Sequence, residues 1–122
     1  MTLGKAIGLA DLAAPNELEY PLKVKWLSTL DGSIVTDVLE QHQKEDIDFP
    51  GYDAETDPET ALLVPDPWDE LYVTYLIMMI HLENSEIERY NNQALLYADQ
   101  LQRWKSYVVR HHMPRGVCAI KF

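Results

Sequence analysis

The chain has 122 residues, with 20 Asp and Glu against 10 Lys and Arg, a formal charge of −10. That length fits one compact domain with a real core and is too short for two ordinary ones. Apolar residues make up 47% of the chain and a single cysteine, Cys118, is present, so neither wholesale disorder, an internal disulfide framework nor a cysteine-built zinc cage is expected.

The longest apolar run, residues 76–80, has five residues and falls far short of a membrane span. Lys5 and Asp11 break up the N-terminal apolar segment, where an export signal needs continuity. The expectation is a soluble, intracellular protein. Its charge is unevenly spread: residues 1–88 hold 19 acids and 4 bases, net −15, whereas residues 89–122 hold one acid and six bases, net +5. A solvated acidic face is one reading; attraction between the two portions, within a chain or between chains, is the other.

In chain order, Leu3, Ile7, Leu9 and Leu12 predict a helix over 3–13 that stops before Pro15. Asn16 is positioned to cap a second helix over 18–41, with Pro21 in its first turn. Leu22, Trp26, Leu30, Ile34 and Val38 recur every fourth residue. Asp31-Gly32-Ser33 has hairpin-turn chemistry, but the apolar period runs through it in phase, so one long helix is preferred. Residues 42–65 form a long acidic loop, with Ile47, Phe49 and Tyr52 tacking it to the body and Leu62, Leu63 and Val64 as a short extended run. No internal repeat is expected.

Asp66-Pro67-Trp68-Asp69 predicts the start of a helix over 67–84, with Asp66 as its cap, and the nearly all-round apolar stretch Leu76 to Ile80 predicts a central, buried element. Ser85 with Glu88 reads as a capping box for a final helix over 86–112. Its seam is Tyr90, Ala94, Tyr97, Leu101, Trp104, Val108 and His111. Pro114 and Gly116 end it, and the tail 115–122 contains the strand-like run Val117-Cys118-Ala119-Ile120, suited to pair with residues 62–64 or with another subunit. The fold class is therefore all-α: four helices, a long acidic loop and a short extended C-terminal tail.

Chemistry-bearing patterns are sparse. The five glycines are scattered, so no phosphate-cradling loop is present. Cys118 has apolar flanks and no nearby base. His111 and His112 point about 100° apart on a helix, and the pairs His81–Ser85 and His42–Asp46 lack a third ligand. Glu83, Glu86 and Glu88 straddle a helix junction, and Asp53, Glu55, Asp57 and Glu59 alternate along the loop without the glycine turn and terminal glutamate of an EF-hand. Arg103, Lys105, Arg110 and Arg115, with Trp104 and Tyr107, make the last helix basic and aromatic, but the aromatics fall on its packing seam, so direct nucleic-acid binding is not expected. No catalytic residue, cofactor site or metal site is assigned.

One resemblance adds to this reading. Residues 60–76 (Thr-Ala-Leu-Leu-Val-Pro-Asp-Pro-Trp-Asp-Glu-Leu-Tyr-Val-Thr-Tyr-Leu) and 88–92 (Glu-Arg-Tyr-Asn-Asn), with Lys25-Trp26-Leu27-Ser28-Thr29-Leu30-Asp31-Gly32, Phe49-Pro50-Gly51-Tyr52 and His112-Met113-Pro114, resemble small proteins encoded in the structural-gene cluster of tailed phages and prophages of Gram-positive bacteria. More loosely, the chain is similar to all-helical head–tail connector proteins. The resemblance implies a homo-oligomeric ring bridging portal and tail, no catalytic residues, and a location in the host cytoplasm during assembly and then in the virion; no membrane partner is expected from the short apolar runs. It also implies contact surfaces at the acidic loop and at the basic end of the last helix. The rival expectation is a small helical adaptor or regulator that engages a basic protein through its acidic loop.

Overall fold

The computed structural model describes residues 1–39 and 48–111. Four helices carry the regular structure of these residues: α1 (Leu3–Ala13), α2 (Tyr20–Ile34), α3 (Glu70–Glu83) and α4 (Ile87–His111). No strand or sheet occurs among them, and the fold is all-α. The C-terminal tail at 115–122 and the first part of the expected acidic loop lie outside the described residues.

Helix α1 begins where its orphan amide donors find partners. The Leu3 and Gly4 N–H groups donate to the Thr60 and Pro58 carbonyls at 2.9 and 2.8 Å, and the Lys5 N–H donates to Thr2 Oγ1 at 3.2 Å. The acidic segment thus caps α1. Gly4 permits this close approach: a Cβ there would lie 2.9 Å from the Pro58 Cβ. Leu3, Ala6, Ile7 and Ala10 form the buried stripe of the helix.

Asn16 does not cap α2. Its Oδ1 accepts from the Leu18 N–H at 2.9 Å, and its Nδ2 donates to the Ala14 carbonyl and to Asp11 Oδ1, so it organises the turn between the two helices. The second helix starts at Tyr20 rather than at 18, with Glu19 at the cap and Pro21 in the first turn. It runs through Asp31, Gly32 and Ser33 without a break and continues into a π-helical turn, Val35–Leu39.

The wider turn has a reason in the sequence. An apolar period of four drifts about 40° per turn on an α-helix, so Val38 would face some 160° away from Leu22. A π turn restores part of the register, and Val35 and Val38 are both buried. The Ser33 hydroxyl donates to the Leu30 carbonyl at 2.8 Å, and that of Thr36 to the Gly32 carbonyl at 3.3 Å, side-chain bonds that loosen this stretch of the helix.

The expected start of the third helix is corrected. Asp66 and Pro67, joined by a cis peptide bond, lie in a turn closed by the Trp68 N–H donating to the Pro65 carbonyl at 2.9 Å, and α3 begins only at Glu70. Asp69 is buried and meets the Met1 ammonium at 3.1 Å. The extended run near residue 62 is also partnered unexpectedly: Ala61 pairs with Thr2 in an isolated antiparallel bridge, and the Leu62 N–H donates to the Met1 carbonyl.

Helix α3 packs against α4, α1 and α2 and buries Leu71, Tyr72, Leu76, Met78 and Ile80. Ring contacts between Trp68 and Tyr107 and between Tyr75 and Tyr97 set α3 and α4 antiparallel. The junction is not the expected Ser85–Glu88 box. Ser85 takes a left-handed conformation (φ 59°), its N–H donates to the Leu82 carbonyl, and the Glu86 N–H donates to the His81 carbonyl at 2.8 Å. This pair of bonds is a Schellman stop for α3. On α4, Trp104 and Val108 are buried and Tyr97, Leu101 and Tyr107 pack on the core, whereas His111 is exposed.

Candidate interaction surfaces

The most buried polar group is Asp31, fully excluded from solvent beside the apolar residues of α2. Its carboxylate accepts from the Tyr72 hydroxyl at 2.6 Å on one oxygen, and from the Tyr52 hydroxyl at 2.6 Å and the Leu63 N–H at 3.3 Å on the other. The Tyr72 hydroxyl itself accepts from the Val64 N–H at 2.7 Å. Burial raises the Asp31 carboxyl above the usual range, and the two hydroxyls and the amide pull it partly back. Burial and the adjacent Asp31 charge push both tyrosines up, so they remain donors. The node joins α2, α3 and both ends of the 52–64 segment. Its groups face one another, which makes it a structural clamp for the surface outside it.

That surface holds a signal missed in the sequence. Residues 53–60 are a tandem repeat, Asp-Ala-Glu-Thr followed by Asp-Pro-Glu-Thr, where no internal repeat is expected above. The two copies fold alike. The Thr56 N–H donates to the Asp53 carbonyl at 3.0 Å, and the Thr60 N–H to that of Asp57 at 2.9 Å. Within each turn the Asp side chain accepts the N–H two residues on, from Glu55 at 2.8 Å and from Glu59 at 2.9 Å. The repeat therefore displays Glu55 and Glu59, both exposed, at equivalent positions. Gly51, at φ +87°, turns the chain into this segment, and the Ser28 hydroxyl accepts the Tyr52 N–H at 3.0 Å.

The basic residues are dispersed by the helix. Trp68 of the α2–α3 connection and Asp99, Gln102, Arg103, Ser106 and Arg110 of α4 line a shallow groove of ≈ 280 Å³. Arg103 Nε pairs with Asp99 at 2.9 Å. Lys105 lies elsewhere, in a small recess with Asp37 against α2. Trp104 belongs to the core, as its seam position implies, and Tyr107 stacks on His111, whose Nδ1 lies 2.9 Å from the Tyr107 carbonyl. Among the described residues, no ion pair joins Asp53, Glu55, Asp57 or Glu59 to a base of α4. The two charged surfaces are not neutralised within one chain there.

A larger cleft, ≈ 580 Å³, opens between the end of α1 and the α3–α4 junction, where His81, Glu86 and Arg89 meet. Glu86 engages the His81 ring at 3.0 Å and Arg89 at 3.3 Å, so its polar groups are partnered with each other. His81 thus meets Glu86 rather than Ser85, and Glu83 and Glu88 are exposed. His42, Asp46, His112, Arg115 and Cys118 lie outside the described residues. Among the described residues, no group of three or more His, Cys, Asp and Glu is placed to hold one ion, and no helix is long and apolar enough to cross a membrane.

Comparison of the chain with protein-family models, with curated proteins and with solved structures finds no match.

Proposed function

We propose that the chain is a non-enzymatic assembly subunit of a tailed-phage or prophage particle, placed at the head–tail connection in contact with the portal and the neighbouring tail component. The observation that carries this reading is the outward side of α4. Helical periodicity puts Leu95 and Asp99 opposite the Trp104–Val108 seam, with Leu96 and Arg103 on the flank beside them. Leu95 is 74% and Leu96 46% exposed. A 25-residue helix with one packed side, exposed apolar residues off it and cations about two and four turns further on suits burial by another subunit. The sequence resemblance over residues 20–115 supplies the biological setting.

A second reading has its own observation. The twin turns at 53–60 hold carboxylates in ordered, repeated positions, which suits an adaptor that engages a basic partner. The decisive experiment deletes the gene from the phage or prophage genome that encodes it and images the particles. The connector reading expects filled heads and free tails that fail to join, with joining restored by the gene in trans. Intact tailed particles at normal yield contradict it.

A further inference from the structure

The repeated acidic turns and the cationic groove of α4 are complementary in charge and in number, and their reach along the chain is compatible. Glu55 and Glu59 occupy equivalent places in consecutive turns, four residues apart, a separation of at most about 14 Å along the chain. Arg103 and Arg110 are seven residues apart on one helix, about 10.5 Å along its axis. Two carboxylates thus have the reach to meet two guanidinium groups, a pairing that favours directed hydrogen bonds over diffuse attraction.

The groove also offers Ser106, between the arginines, and Gln102, which donates to the Ser106 hydroxyl at 3.4 Å, with Trp68 as an apolar wall. Asp99 already occupies Arg103 Nε, which leaves the other guanidinium donors, while Arg110 has no acidic partner among the described residues. The turns present a preformed shape, because their backbone is fixed by Asp53 and Asp57 and anchored on Leu3 and Gly4. Little conformational freedom is therefore lost on docking.

We propose that the twin turns at 53–60 of one copy of this chain dock into the Trp68–Arg103–Arg110 groove of a second copy, with Glu55 and Glu59 facing the two arginines. The proposal rests on the assembly reading above and names the contact between subunits. Long-range repulsion between two chains of charge −10 opposes the encounter. Association is therefore strongest near 0.1 M salt, where the screening length of about 10 Å hides distant charges but not the contact, and it fades near 1 M, where that length is about 3 Å.

The test uses two double variants of the full chain, Glu55→Lys with Glu59→Lys and Arg103→Glu with Arg110→Glu. All four side chains are exposed, and circular dichroism verifies that helicity is kept. Sedimentation equilibrium should give the wild type a mass at multiples of 14.1 kDa near 0.1 M salt, reversible by salt. Each variant alone should lose roughly tenfold or more in association constant. Mixed together they should associate again, because the lysines of one meet the glutamates of the other.

A wild type that stays at 14.1 kDa at every concentration and salt, variants that associate like the wild type, or a mixture that fails to recover overturns the contact. So does binding of the turns to an unrelated basic protein without self-association. The gene deletion separates the two ideas: heads and tails that fail to join while the mixed variants stay apart keep the function and discard this interface.

Discussion

Replacing Asp31 by Ala is expected to lower stability by about 2–4 kcal/mol, with Tm falling by roughly 10 °C or more. The substitution leaves the Tyr52 and Tyr72 hydroxyls and the Leu63 N–H without their acceptor, at a carboxylate fully excluded from solvent, with Tyr72 itself fully buried. Part of this loss is returned, because an ionised carboxylate is costly to bury. Asp31→Asn should therefore be milder than Asp31→Ala: its amide oxygen still accepts from Tyr72 and its NH₂ can donate to the Tyr52 oxygen, while the Leu63 bond is lost.

The comparison with Asn also has a defined sign in pH. Burial holds the native Asp31 carboxyl above its ordinary value of 3.8. Its stabilising protonated form is fully present below that value, in native and unfolded chains alike. As pH rises, the unfolded chain ionises first, and the native state loses stability until its own raised value is passed. Urea unfolding of wild type and Asp31→Asn from about pH 4 upward should thus show the wild-type advantage shrinking with pH and then levelling. An advantage that grows with pH contradicts the assignment.

The second large effect is at Trp104. It is 2% exposed and, with Val108, is the part of α4 that enters the core. Trp104→Ala should cost about 3–5 kcal/mol, through lost burial and the cavity left between helices that cannot fully close. Trp104→Phe should cost about 1–3 kcal/mol, since most of the apolar volume is kept. Denaturant titration monitored by circular dichroism measures both. A near-neutral Trp104→Ala would mean that α4 is not held by this seam.

The helices were legible because their signals are local. Leu71, Leu76 and Ile80 are apolar on several sides of one helix, and Tyr97, Leu101, Trp104 and Val108 step by three and four. Gly32 did not break α2, because Leu30 and Ile34 on either side remain buried in phase. Asp31 was illegible for the converse reason. Beside Gly32 it has turn chemistry, and its true partners lie 21, 32 and 41 residues away.

Distance along the chain also bears on the shifted start of α3: the expected cap was Asp66, but Asp69 stands at the N-cap and its carboxylate meets the Met1 ammonium 68 residues away. The twin turns were a different case: their repeat is plain in Asp53-Ala54-Glu55-Thr56 and Asp57-Pro58-Glu59-Thr60, where it coincides with an alternation of charge. Only their anchoring on Gly4 required the fold.

The proposed connector role turns on where the chain sits in a finished particle. A reconstruction of the portal-to-tail region should contain a ring of this four-helix domain, with the outward side of α4, including Leu95 and Leu96, buried against a neighbour. Particles that carry the tail yet lack this chain at that position would contradict the account.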